Sequence, residues 1–127
     1  MNVLLDTDAL LYLTLDPAGL SEKAKREIEK ADNIYVSSIS LWEIGIMSKN
    51  KRIRLPLDLE RFCRMIREID DLEIIPVSDE IWIKNINLPW RHSDPADRTI
   101  AATAHLYDSR LITSNEEMRK YYKKSVW

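Results

Sequence analysis

Glycine is nearly absent, at two in 127 residues. A glycine-rich phosphate loop needs several at fixed spacing. Neither a GxGxxG nor a GxxxxGK[ST] pattern occurs, which argues against dinucleotide and P-loop nucleotide sites. Cysteine is rarer still. Cys63 alone cannot make an internal disulfide, so a reducing, cytoplasmic setting is expected. It stands on an expected helix with no suitable histidine near it in sequence, which reads as packing rather than nucleophilic chemistry. His92 and His105 match no zinc spacing such as HExxH and read as surface or helix-face residues. No apolar run has the length to span a bilayer, so no membrane role is expected. The first fifteen residues lack a basic start, and Asp6 and Asp8 interrupt their apolar run, so they do not read as a signal peptide. A net charge of −2 gives no global attraction to nucleic acid.

What is present suits one domain spanning residues 1–127, with 45% apolar and 31% charged residues. Val3-Leu4-Leu5 forms a short apolar run ended at once by Asp6, as expected of a strand buried on both faces of a parallel sheet. A short helix over 9–13 stops near Asp16-Pro17 and Gly19. Ser21 is a good N-cap for a helix with Leu20, Ala24, Ile28 and Ala31 on its apolar stripe. Ile34-Tyr35-Val36 is the second strand, and Ser37-Ser38 opens a helix reaching about Lys49. Leu59, Phe62, Ile66 and Ile69 mark another helix, Leu72 to Val77 a third strand, and residues 79–87 a short helix. Asp94 caps a helix with Pro95 at its first position, followed by a fourth strand at Leu111-Ile112-Thr113 and a basic helix to about Lys120. The tail Ser125-Val126-Trp127 is compatible with an edge strand. This order predicts an α/β protein of three layers, α/β/α, around a mostly parallel central sheet of four to five strands.

Three acids stand at related places in that order. Asp6 ends the first strand, Glu43 lies in the helix after the second, and Asp97 sits at the start of the helix before the fourth. Asn115, with Glu116 beside it, follows the fourth strand after Thr113. Glu43 shares a helical face with Ile39, Ile46 and Met47, so that face is expected to point inward. Ser40-x-x-Glu43 also fits a capping box, and Asp97 at the third helical position fits helix capping. Carboxylates gathered within a few ångströms cannot all ionise without a cation. Mg²⁺ or Mn²⁺ prefers hard oxygen ligands and can activate water against a phosphodiester. Residues 49–67 hold seven Lys/Arg against two Asp/Glu, whereas 68–97 hold two against eight. Lys49, Lys51, Arg52 and Arg54 are candidates for contact with a polyanion, although taken alone such a group more often reads as a solvated face.

Three motifs in order, Leu4-Leu5-Asp6-Thr7, Ser37-Ser38-Ile39-Ser40-Leu41-Trp42-Glu43-Ile44 and Asp94-Pro95-Ala96-Asp97-Arg98 followed by Ile100-Ala101-Ala102-Thr103-Ala104, resemble a PIN domain. They are most similar to the VapC-type toxins of prokaryotic toxin–antitoxin pairs, and the resemblance covers essentially the whole chain. It implies a PIN fold and endoribonuclease activity dependent on Mg²⁺ or Mn²⁺. It also implies RNA as substrate, a small antitoxin of the VapB type as partner, and a homodimer. Asp6, Glu43 and Asp97 match the family's three principal acids, with Asp94 and Thr113 beside them. At the fourth acidic position Asn115 replaces the aspartate of many members, so Glu116 or the amide of Asn115 is expected to serve there.

Two other classes fit parts of the pattern. Asp6-Thr7-Asp8 after a strand resembles the start of haloacid-dehalogenase-type phosphatases, which would make Asp6 a covalent nucleophile. That class needs a later lysine and a further acidic pair, and the chain after Thr113 offers Ser114-Asn115. A non-catalytic PIN fold acting only as a binding module is the other alternative, against which stand the three intact acids. A receiver-like domain fails for want of a lysine after the last long strand.

Overall fold

The computed structural model describes residues 1–127. Its centre is a sheet of five strands, all parallel: β1 (Val3–Leu5), β2 (Ile34–Ser37), β3 (Leu72–Ile75), β4 (Arg110–Ile112) and β5 (Ser125–Val126). Their spatial order is β3-β2-β1-β4-β5. The tail is therefore an edge strand, held to β4 by Leu111 N–H donating to Lys124 O at 3.0 Å and Thr113 N–H to Val126 O at 3.1 Å. β3 ends at Ile75, short of the expected Val77, because Pro76 has no N–H to continue the ladder.

Side-chain alternation along these short strands builds the layers. Val3, Leu5, Val36 and Ile112 pack on one side with Ala9 and Leu10 of α1 (Thr7–Leu15), Ala24 and Ile28 of α2 (Glu22–Glu29), Ile44 of α3 (Ser38–Lys49), and Phe62 and Ile66 of α4 (Leu59–Arg67). Leu4 and Leu111 point to the other side. There they meet Ile100 and Ala104 of α6 (Pro95–Leu106) and Met118 of α7 (Glu116–Tyr121). α5 (Asp79–Asn87) joins that second layer through Ile81, which packs with Ala101 and Ala102. The alanines of α6 let it lie close against both the sheet and α5.

The chain leaves β1 for β2 and β3 on one side, then crosses to β4 and β5 on the other. β1 and β4 thus flank the point where the direction of winding reverses, and a crevice opens there at the carboxyl ends of the strands. At the opposite edge, Glu27 of α2 ties itself to the start of β4. Arg110 Nη1 donates to its Oε2 at 3.0 Å, and Lys30 Nζ lies 3.2 Å from Oε1. Burial works to raise the Glu27 pKa, but the two cations outweigh it and hold the carboxyl below its ordinary value.

The turn after α1 carries a tight packing constraint. A Cβ on Gly19 would lie 2.2 Å from Tyr12 Cδ1, and the Tyr12 ring in turn packs on Trp127 at 5.9 Å between centroids. On Gly45 a Cβ would meet only the far end of Leu59, at 2.9 Å from Cδ2, on a side chain that is itself half-exposed. Urea unfolding should therefore separate the two glycines. Gly19→Ala is expected to cost about 1–3 kcal/mol by overpacking. Gly45→Ala should be neutral or stabilising, because the helix gains roughly 0.8–1 kcal/mol from losing an interior glycine. Equal effects at the two positions would contradict this packing.

Candidate active site

Asp6 is the first residue after β1, and its backbone N–H still donates to Ile112 O on β4 at 3.1 Å. It is also the N-cap of α1: Oδ1 accepts from Ala9 N–H at 2.8 Å. Its other oxygen, Oδ2, accepts from the buried Thr113 hydroxyl, which follows β4. The carboxylate is thus held at both oxygens by two elements flanking the crevice, and only 5% of the residue is exposed.

Glu43 reaches the same crevice from α3. Ser37 is the N-cap of that helix and accepts from Ile39 N–H at 3.2 Å, which places Glu43 well inside the helix. The capping-box alternative is thereby excluded. Glu43 Oε1 instead accepts from the Thr7 hydroxyl, and Thr7 Oγ1 lies 2.9 Å from the fully buried Ser40 Oγ. A hydroxyl has one proton, so while Glu43 is ionised the proton between Ser40 and Thr7 comes from Ser40. Of the face that Glu43 shares with Ile39, Ile46 and Met47, Ile39 and Met47 pack partly against the core as expected, whereas the Glu43–Ile46 side does not. It forms a wall of the crevice, and Ile46 is 40% exposed. Ile44 and Ser40 supply the buried face of α3 instead.

Asp97 stands in the first turn of α6, where Asp94 is the N-cap. Asp94 Oδ1 accepts from Ala96 N–H at 2.9 Å and Asp97 N–H at 3.1 Å, as expected. Asn115 caps α7, its Oδ1 accepting from Met118 N–H and its own N–H donating to Thr113 Oγ1, both at 3.1 Å. With its carbonyl so committed, Asn115 has its NH₂ left to offer. All these residues line one cavity of about 340 Å³: Asp6, Glu43, Asp94, Asp97 and Asn115, with Asp8 adding another carboxylate and Thr7 between them. Trp42 and Arg52 complete the wall.

Four sequence candidates fall elsewhere. Glu116 turns away from this cavity into a separate one with Arg119, Lys120 and Lys123, so of the two residues proposed for the fourth position only Asn115 is in place. Lys51 and Arg54 line a neighbouring cavity that shares Arg52 with the acidic one, while Lys49 is exposed in the last turn of α3. Trp42 is 60% exposed at the cavity lip, not part of the core. One residue drawn in by the fold had no signal in the sequence pattern. His92 comes from the loop before α6 and sets Nε2 2.8 Å from Asp97 Oδ2.

The electrostatics of this crevice are strained in one direction. Burial pushes the Asp6 carboxyl up to about 7, with Asp8 and Asp97 adding to the rise and Thr113 and Ala9 opposing it. Burial likewise raises Glu43, helped by Asp94, Asp97 and Asp8 and opposed by the Thr7 hydrogen bond. Asp97 is raised by burial and by Asp94 and Asp8, against the His92 contact. Three carboxyls raised together mark a cluster short of positive charge. The donor set is chiefly carboxylate oxygen; His92 Nε2 also lies within 4.8 Å of ligand atoms of Asp94 and Asp97, but it is engaged with Asp97 Oδ2. Such a set fits a hard divalent cation rather than zinc.

The family model for the PIN domain matches residues 3–124. The chain belongs to the PIN-domain family. Among PIN relatives, ribonuclease VapC22 of Mycobacterium tuberculosis is 29% identical over 121 residues, covering 94% of this chain and 92% of the relative. A toxin–antitoxin complex from Klebsiella pneumoniae holds a chain superposing with a TM-score of 0.69 at 26% identity, covering 98% of this chain and 96% of that one. VapBC2 of Rickettsia felis, bound to a promoter DNA fragment, superposes at 0.65 with 17% identity, covering 96% and 94%, and there the likeness is one of fold. The five-stranded parallel sheet and its two helical layers are thus the PIN architecture.

The raised Asp6 carboxyl has a consequence for stability. Its folded pKa of about 7 lies above the ordinary 3.8, so the native state holds a proton that the unfolded chain releases. The stability linked to Asp6 is fully present below about pH 4 and is lost as pH rises toward 7. In EDTA, Asp6→Asn should therefore raise the melting temperature at pH 8 but leave it nearly unchanged at pH 4. The gain at pH 8 should be on the order of 2–4 kcal/mol. Adding Mn²⁺ at pH 8 should narrow the gap. A melting difference independent of pH would contradict the assignment of this strain to Asp6.

Proposed function

We propose that this PIN domain is an endoribonuclease that hydrolyses RNA phosphodiester bonds with Mg²⁺ or Mn²⁺, and is the toxin of a type II toxin–antitoxin pair. The observation that carries the reading is the meeting of Asp6, Glu43 and Asp97 from three separate segments in one acidic cavity at the β1/β4 crevice. The relative named a ribonuclease and the toxin–antitoxin neighbour, each similar over nearly the full chain, support it. RNA in the cytoplasm is the substrate this reading requires.

Asp6, Glu43 and Asp97, with Asp94 beside them, would hold the cation. When bound, the ion supplies the positive charge that a phosphodiester needs as its negative charge develops during hydrolysis. The chain's own residues do the rest by orientation. Thr113 and the Ala9 N–H fix Asp6, the Ser40–Thr7 relay fixes Glu43, and none of these groups has to reorganise when substrate arrives. The Asn115 amide places neutral N–H donors where an aspartate would repel a phosphate. Arg52 on the cavity wall, with Lys51 and Arg54 alongside, offers a basic approach for the RNA backbone, and Lys49 extends it.

The partner reading follows from the same surface. Trp42 and Ile46 leave an apolar lip beside concentrated negative charge. A VapB-type antitoxin segment with apolar residues and a terminal Arg or Lys would cover both. A second copy of the chain completes the assembly that this reading assigns.

Cleavage of single-stranded RNA should disappear in EDTA and return with Mn²⁺. Asp6→Asn and Asp97→Asn should each reduce it by about 100-fold or more while the fold survives, because losing a carboxylate relieves repulsion. Full activity in both variants would overturn the assignment. Turnover of small phosphate monoesters through a covalent Asp6 intermediate would favour the phosphatase alternative. Antitoxin binding without RNA cleavage under any metal would favour the binding module. Changing Lys51, Arg52 and Arg54 to Glu should weaken RNA binding and flatten its salt dependence by about two in slope. Unchanged RNA affinity at low salt would remove this patch from the RNA path.

A further inference from the structure

His92 is held more firmly than a loop histidine needs to be. Its ring stacks on Trp90, with centroids 4.7 Å apart and planes 25° from parallel. Trp90 stacks in turn on Tyr121 of α7 at 4.6 Å and 4°. The backbone beneath is clamped by one guanidinium. Arg98 donates from Nη1 to the carbonyls of Trp90 and His92, and from Nη2 to those of Asn85 and Leu88. Its Nε donates to Asn85 Oδ1 at 3.3 Å, and Asn85 is itself fixed by Nδ2 donating to Thr99 Oγ1 at 2.9 Å. Four carbonyls, one in the last turn of α5 and three from the loop after it, therefore point inward at a single cation one residue beyond Asp97. The loop also anchors itself through Leu88 in the core and Trp90 packed against it, which leaves the imidazole held from below. The same clamp sets the position of one imidazole nitrogen, 2.8 Å from Asp97 Oδ2, in a pair of side chains 24% and 18% exposed.

Asp97 lacks the two-sided restraint that Asp6 enjoys. Its carboxylate has one side-chain hydrogen bond, the one to His92. Without it, the carboxylate is free to rotate away from its like-charged neighbours Asp6, Asp8, Glu43 and Asp94. We propose that His92 is the positioning residue for Asp97: its Nε2–H holds Oδ2 so that the carboxylate faces the acidic cavity, and it thereby sets the cavity's affinity for a divalent cation. An ionised carboxylate only accepts, so the proton in this contact sits on Nε2. Hydrogen-bond partners of metal-binding side chains commonly govern affinity by 10–100-fold. The inference rests on the reading of this cavity as a cation site.

The test is Mn²⁺ affinity, measured on the full chain by calorimetry or by the spin-resonance signal of free Mn²⁺. His92→Phe keeps a ring against Trp90 but has no donor, and His92→Gln keeps an N–H donor without the ring. His92→Phe is expected to bind Mn²⁺ about 10–100-fold more weakly than wild type, with a melting temperature close to it. His92→Gln should recover most of that loss. Wild-type affinity in His92→Phe would overturn the proposal, as would a His92→Gln variant as weak as His92→Phe, because the donor would then not be what matters. If wild type itself binds no Mn²⁺, the cation-site reading fails and the proposal with it, a result distinct from a failure confined to the variants.

Discussion

Mutual repulsion among carboxylates is the constraint on which this structure turns. Asp6, Glu43 and Asp97, with Asp8 and Asp94 close by, crowd the crevice between β1 and β4. Burial makes the crowding worse, because each carboxyl loses the water that would stabilise its charge. The fold answers with hydrogen bonds, one set per acid and each from a different neighbour. Thr113 and Ala9 serve Asp6, Thr7 backed by Ser40 serves Glu43, and His92 serves Asp97. These bonds orient the charges but do not cancel them. What remains uncancelled is the basis for a cation.

The scaffold around that cluster is rigid because its central strand is brief and completely enclosed. β1 has neighbours on both sides and helices over both faces, so its three residues have no exposed surface to yield. Asp6 follows immediately and caps α1, so the carboxylate inherits the rigidity of both strand and helix. Asp97 is placed differently. It sits one residue before Arg98, whose guanidinium gathers the carbonyls of the preceding loop. One acid is thus fixed by the sheet and the other by a clamped loop, and the two approach from opposite helical layers.

Much of this was legible in the sequence where a short pattern has one physical meaning. A three-residue apolar run ended by aspartate is a buried strand with a carboxylate at its end, and Asp94-Pro95 is a helix start. Glu43 shows where periodicity stops informing. Spacing puts Ile39, Ile46 and Met47 on the face of Glu43, but spacing cannot say which of them meets protein and which a cleft, and here Ile46 faces the cleft while Ile39 and Met47 also pack against the core. β5 has two paired residues, too few for any alternation to register. Glu116 and Asn115 are adjacent, yet the cap made by Asn115 turns Glu116 toward Arg119, Lys120 and Lys123. His92 left no trace, because its place depends on Arg98 binding loop carbonyls and on Trp90 meeting Tyr121, contacts between segments that no local pattern encodes.

Acids from three distant segments meet where one cation would bind them together. A crystal grown with Mn²⁺ and measured at the manganese absorption edge tests this directly. An anomalous peak is expected within ligand distance of carboxylate oxygens from Asp6 and Asp97, with Glu43 adjoining. A crystal with no peak in this cavity, or with manganese bound elsewhere while these three carboxylates stay unligated, would contradict a shared cation site.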